Sequence, residues 1–219
     1  MQTLTTIQQL SVAIVPVVLA ITVHEAAHGL VADKLGDKTA RAAGRVSLNP
    51  FKYIDLIGTV ILPLLLFATT GFMFGWAKPV PVNWRNFAKP RRDTALVSAA
   101  GPFSNFIMLI GWSLLLAVPQ HLPPDLGYIG NPVYFMAIYG ILINAVLIAL
   151  NLLPLLPLDG GRILHAMLPF NVATIFEKTE RWGLLILVVL LVSGVLSGLL
   201  GPFVEALKGF SVQIAGIFS

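Results

Sequence analysis

His24-Glu25-Ala26-Ala27-His28 sets two imidazoles four residues apart, with a carboxylate next to the first. On a helix, positions i and i+4 share a face about one turn apart, so both rings can reach one cation. Zinc accepts neutral imidazole nitrogens, and a catalytic zinc site keeps three protein ligands and a water. Glu25 projects to the side of that pair, where a carboxylate can take a proton from such a water. The same residues at the end of a soluble helix would be ordinary solvated side chains. Here they follow 23 uncharged residues, and ionisable groups inside an apolar segment are costly and usually functional.

A third ligand has to lie at the same depth. Asp159, in Leu158-Asp159-Gly160-Gly161, is the sole acidic residue between Asp125 and Glu177. An aspartate before two glycines also makes a good turn or helix N-cap. Its position in the chain decides between these readings, and that position follows from the distribution of charge.

Of 219 residues, 57% are hydrophobic and 11% charged. A soluble domain carries about 25% charged residues, so lipid is the solvent expected here. Residues 56–77, 94–124, 126–158 and 182–204 each lack Asp, Glu, Lys and Arg, and a membrane-spanning helix needs roughly 20 such residues. No Lys or Arg precedes Lys34, and none lies between Arg92 and Arg162. Basic loops mark the cytoplasmic side. The N-terminus and the loop around 119–131 are therefore expected on the far side, with helices over about 5–32, 94–118, 132–150 and 182–200. The first of these reads as a retained helix rather than a cleaved signal, because it lacks a basic start. This topology brings His24, His28 and Asp159 to the cytoplasmic ends of their helices. The net charge of +4 belongs to these loops, so nucleic acid is not an expected partner. The absence of cysteine excludes thiolate ligands and disulfides.

Residues 54–74 are apolar enough to span, yet both flanks are basic. A broken helix entering the bilayer and a hairpin-like strand segment over Gly75–Asn86 would return the chain to the same side; irregular backbone at that depth must be buried or line a wet cavity. The fold expected is all-α and polytopic, with about four to six transmembrane helices, a re-entrant or hairpin segment near 54–90, and a single membrane domain over 1–219. The tail 203–219 has no assigned place in this scheme.

Two further segments join the early motif. Asn151-Leu152-Leu153-Pro154-Leu155-Leu156-Pro157-Leu158-Asp159-Gly160, with His24 to His28, resembles the paired signatures of the site-2 protease family, H-E-x-x-H and N-x-x-P-x-x-x-L-D-G. Gly101-Pro102-Phe103-Ser104-Asn105 is similar to the family's G-x-x-x-N element. Gly75 to Asn83 is similar to a hairpin in compact bacterial members. The resemblance covers about residues 10–170. It implies that His24, His28 and Asp159 bind zinc and that Glu25 activates water. It further implies that Asn151 positions substrate or polarises its carbonyl, and that transmembrane segments of other proteins are cut, often after a first cut by another protease. A bacterial inner membrane is the implied location. The chain leaves no room for the PDZ or CBS domains of larger members.

Asn144 and Asn151 are seven residues apart, hence on one helix face, and Asn105 comes from a neighbouring helix. Such amides either face a substrate or hydrogen-bond helix to helix. His121 falls in the far-side loop and His165 about 120° around from Asp159, so both read as ordinary surface or packing residues. A membrane metal transporter or sensor could use the same His/His/Asp set, and Glu25 separates the two classes, because hydrolysis needs a base and transport does not. A non-catalytic relative would not need the intact H-E-x-x-H.

Overall fold

A computed structural model describes residues 5–61 and 75–218. Among the described residues, four helices are long and apolar enough to cross a membrane: α1 (Thr6–Lys34), α3 (Pro90–Ala117), α4 (Gly127–Asn151) and α8 (Val195–Ile217). The shortest has 23 residues, about 35 Å at 1.5 Å per residue, against a hydrocarbon core of roughly 30 Å. Shorter helices fill the connections: α2 (Thr39–Ala42), α5 (Asp159–Met167), α6 (Phe170–Glu177) and α7 (Glu180–Val192). Among the described residues there is no strand, and the chain is an all-helical integral membrane protein.

Local chemistry sets the helix ends. A capping box starts α1: the Gln8 N–H donates to the Thr5 hydroxyl, and the Gln8 amide oxygen accepts the Thr5 N–H. The helix stops at Leu35, where Gly36 takes the left-handed conformation (φ 110°). Pro90 opens α3, while Asp93 accepts the Lys89 N–H at 2.9 Å. Pro154 and Pro157 follow the end of α4 and cannot prolong it.

α1, α3 and α4 pack against one another, and α8 leans on α3 and α4. Their shared core holds Leu109, Ala145, Ile148, Ala149 and Val204. Gly140 lets α4 approach the Trp112 ring, since a Cβ there would lie 2.3 Å from it. α5 rests against α3.

Two expectations change. The helix expected over 182–200 is interrupted at Ser193–Gly194, where Gly194 has φ 75°. α7 has 13 residues, about 20 Å, too short to cross the bilayer. The fourth long helix is instead α8, and it takes in most of the tail. The run Leu184–Leu200 carries no charge, and the Ser193-Gly194 pair at the joint recurs as Ser197-Gly198 inside α8, so composition does not single the joint out.

The second change concerns 54–90. Leu56–Ile61 forms a π-helical turn, residues 62–74 lie outside the described residues, and Gly75–Asn83 is extended without being a strand. Proline explains why no ladder forms. Pro79 and Pro81 lack N–H groups at alternate positions. The intervening donors bond to scattered acceptors: Trp76 N–H to Gly58 O (3.0 Å), Lys78 N–H to Tyr53 O (2.8 Å), Val80 N–H to Glu25 Oε2 (3.0 Å) and Asn83 N–H to Asp37 Oδ2 (2.7 Å).

Candidate metal centre

His24 and His28 sit in the second half of α1 with their rings edge-on, centroids 4.7 Å apart. Each ring is held through Nδ1. His24 Nδ1 lies 2.6 Å from Asn105 Oδ1, and His28 Nδ1 lies 2.7 Å from the Val97 carbonyl. The Val97 carbonyl can only accept, so His28 carries its proton on Nδ1. For His24 the chain of amides gives the same answer. Asn144 donates Nδ2 to the Gly140 carbonyl (2.8 Å), and Asn105 donates Nδ2 to Asn144 Oδ1 (2.8 Å) and to the Ala20 carbonyl (3.2 Å). Asn105 Oδ1 is left as an acceptor, and His24 Nδ1–H donates to it.

Both Nε2 atoms therefore present lone pairs. They are 3.0 Å apart, and Asp159 Oδ2 lies 3.2 Å from that of His24 and 3.4 Å from that of His28. Neither Nε2 has a proton to offer, which is why the buried Asp159 Oδ2 receives no hydrogen bond. Three electron-rich atoms facing one another repel unless a cation lies between them. Donors on a tetrahedral zinc are about 3.3 Å apart, given metal–donor distances of roughly 2.0–2.2 Å. The three separations fit that spacing, so these residues could hold a metal ion.

Close backbone contact brings Asp159 there. It occupies the first turn of α5, whose N-terminus favours a carboxylate. The Leu152–Leu158 loop folds tightly over that turn: a Cβ on Gly160 would lie 2.4 Å from the Leu152 carbonyl oxygen, and one on Gly161 2.4 Å from the Leu155 carbonyl carbon. From α3, Gly101 faces the imidazoles. A Cβ there would meet His24 Cε1 and His28 Nε2 at 2.5 Å, so the space between the rings and α3 admits only hydrogen.

The trio opens on a cavity of roughly 600 Å³. Glu25, Trp76, Val80, Asn151 and Arg162 line it, so the glutamate beside the first histidine faces the same space. Asn151 gives one N–H to the Leu147 carbonyl (3.0 Å) and keeps its remaining valences for the cavity. The other two amides stand elsewhere. Asn105 and Asn144 are fully buried behind His24, and their polar atoms are occupied with the ring, each other and α-helical carbonyls. Of the two roles open to them in the sequence, they occupy the interhelical one. His121 bonds to the Ala117 carbonyl at 3.1 Å, and His165 lies 4.0 Å from Glu177 beside a second cavity of roughly 560 Å³. Neither belongs to the trio. The Val97 carbonyl that holds His28 leaves no mark in the residue types, because it is a backbone acceptor.

The family can now be stated. The profile of Peptidase family M50 matches residues 12–194, and the chain belongs to this family of site-2-type zinc metalloproteases. The "Putative zinc metalloprotease YwhC" of Bacillus subtilis (strain 168) is 40% identical over 88% of this chain and 85% of its own length. Proteins named "Putative zinc metalloprotease Rip2" from Mycolicibacterium smegmatis and Mycobacterium tuberculosis (strain H37Rv) are each 29% identical over 82% of this chain and 66% of theirs. No solved structure matches the chain. The metal implied by family and site is Zn²⁺, and membrane proteins in a lipid bilayer are the implied substrates.

Proposed function

We propose that this chain, acting as one membrane-embedded domain, hydrolyses peptide bonds in or near transmembrane segments, with His24, His28 and Asp159 as zinc ligands and Glu25 as general base. The observation that carries this reading is the convergence of two Nε2 lone pairs and a carboxylate oxygen without a hydrogen bond on one point, beside a cavity that the Glu25 carboxylate also lines. Zinc bound there would supply an acidified water and polarise the scissile carbonyl. The chain's own groups account for the remaining steps.

Glu25 takes the water's proton and later passes it to the leaving amine. Its Oε2 is steadied by the Val80 N–H, which leaves Oε1 for that transfer. Asn151 holds the peptide through its amide. The extended Gly75–Asn83 segment forms the opposite wall, and an unwound substrate strand can lie along it by strand addition. Pro79 and Pro81 make that wall rich in acceptors, so the substrate's own N–H groups supply most of the bonds. The distribution of basic loops supports an active site near the cytoplasmic face of a bacterial inner membrane. Substrates already shortened by another protease would present less bulk to the cavity.

A transporter using the same ligands has no use for a base in the cavity, and nothing in the family or its named relatives supports one. The test is purified protein with a single-span substrate, with and without a chelator. Chelator-sensitive cleavage that Glu25→Gln abolishes while zinc is retained is the expected result; loss of zinc flux in place of cleavage would sink the reading.

A further inference from the structure

Asp37 stands one residue beyond the glycine that ends α1 and is fully buried. Nothing in the metal chemistry uses it. One carboxylate oxygen accepts the Thr39 N–H (3.1 Å), the Thr39 hydroxyl (2.5 Å) and Asn86 Nδ2–H (2.7 Å), while the other accepts the Asn83 N–H (2.7 Å). Thr39 is local, but Asn83 and Asn86 belong to the far end of the segment that walls the cavity. The near part of that segment is fixed at Val80, whose N–H meets Glu25 on α1, twelve positions before Asp37.

α1 and the turn that follows it thus grip the segment at two points, with the base at one and Asp37 at the other. Two residues separate Val80 from Asn83, and extended backbone rises about 3.3 Å per residue. A slip of one residue at Asp37 would withdraw the Val80 N–H from Glu25 and would present alternate carbonyls to the cavity. With no β-ladder to fix its register, the segment depends on a few separate anchors: the Gly58 and Tyr53 carbonyls at its start, and the Glu25 and Asp37 carboxylates further along.

We propose that Asp37 is a positioning residue that sets the register of the Gly75–Asn83 wall against Glu25 and thereby decides which substrate bond meets the base. This rests on the reading of that wall as the substrate-facing surface. A carboxylate suits the task because one group can accept four hydrogen bonds from three residues, two of them more than forty positions away, without using the metal ligands. Asn86 is exposed, so it can be changed without opening a core.

The test uses the intact chain in detergent micelles and a synthetic single-span peptide of about 20 apolar residues broken by one Asn-Gly pair. Asn86→Asp turns a donor into a carboxylate facing Asp37, whereas Asn86→Gln keeps an amide donor at that position. For Asn86→Asp, kcat/KM should fall about 10- to 100-fold, and mass spectrometry of the products should find cuts at several neighbouring bonds in place of one dominant bond. Zinc content should not change, and Asn86→Gln should keep most of the rate and the single cleavage position. Amide exchange provides an arm independent of activity: the Val80 N–H, slow in the parent, should exchange faster in Asn86→Asp and stay slow in Asn86→Gln. A purely structural role for Asp37 would lower melting temperature and zinc together and leave the cleavage position fixed. That outcome, or unchanged Val80 exchange, overturns the proposal. If the parent fails to cut the peptide, the protease reading is what suffers, and the exchange arm still decides the role of Asp37.

Discussion

One wall of the cavity consists of helices packed closely around the buried His24, His28 and Asp159; the other is nine residues of extended chain held by a few side-chain and backbone hydrogen bonds. On the helical side, an error of register is prevented by packing: Gly101 against the imidazoles, Gly160 and Gly161 under the Leu152–Leu158 loop. On the extended side, the chain is partly exposed, and prolines have removed its ladder donors. Groups that must hold a cation are fixed by volume, whereas groups that meet a variable peptide are fixed by tethers that can be adjusted. Rigidity and adaptability are thus assigned to opposite faces of one cavity.

The contrast is most sharply broken from the helical side. Gly101→Ala places a methyl where the donor nitrogens stand; it should abolish zinc binding and cleavage with helical content retained, as measured by metal analysis and circular dichroism. Wild-type zinc content in that variant would refute the packed-wall description. Next in size is Glu25→Gln, for which kcat should fall about 10²–10⁴-fold without loss of zinc. Asn105→Ala removes the partner of the His24 Nδ1–H and should weaken zinc affinity about 10- to 100-fold, read by competition with a chelating dye.

Effects on the extended side should be smaller and spare the metal. Val80→Pro and Val82→Pro should slow cleavage about tenfold, as a lost charge-assisted hydrogen bond of about 1.5 kcal/mol would for Val80, and zinc should remain bound. Unchanged rates would remove the segment from substrate handling. The smallest effect concerns pH. Burial by itself would push the Asp37 carboxyl up, but its bonds to Thr39, Asn83 and Asn86 outweigh that and hold it below its ordinary value of 3.8. A depressed carboxyl contributes stability above its unfolded value, and that contribution is lost as pH falls through the lower, folded one. The segment should therefore stay anchored from neutral pH down to about 4. Trp84 fluorescence that shifts between pH 7 and pH 5 would contradict this.

How much of this could be read in advance differs between the two walls. His24, Glu25 and His28 are legible because four residues is one helical turn, whatever surrounds them. Asp159 is legible because loop charges fix the depth of its helix end. The position of Asn105 behind His24 is not, since the rotation of α3 about its own axis depends on packing with α1 and α4. Asp37 has no motif around it, and its distant partners lie 46 and 49 positions away. The joint at Gly194 is hidden for a simpler reason: the same Ser-Gly pair recurs four residues on without breaking the helix.

The string of amides behind His24 carries a consequence for biogenesis. Every donor in it points the same way, and it ends on the Gly140 carbonyl, which can never give a proton back. The state of the first histidine is thus dictated by main chain more than a hundred residues downstream. As the nascent protein enters the membrane, α1 emerges with both histidines but without the group that orients one of them or the carboxylate that completes the set. Tight capture of a passing metal must wait until α3, α4 and the start of α5 have docked, so the site becomes competent at the moment the surrounding fold is finished.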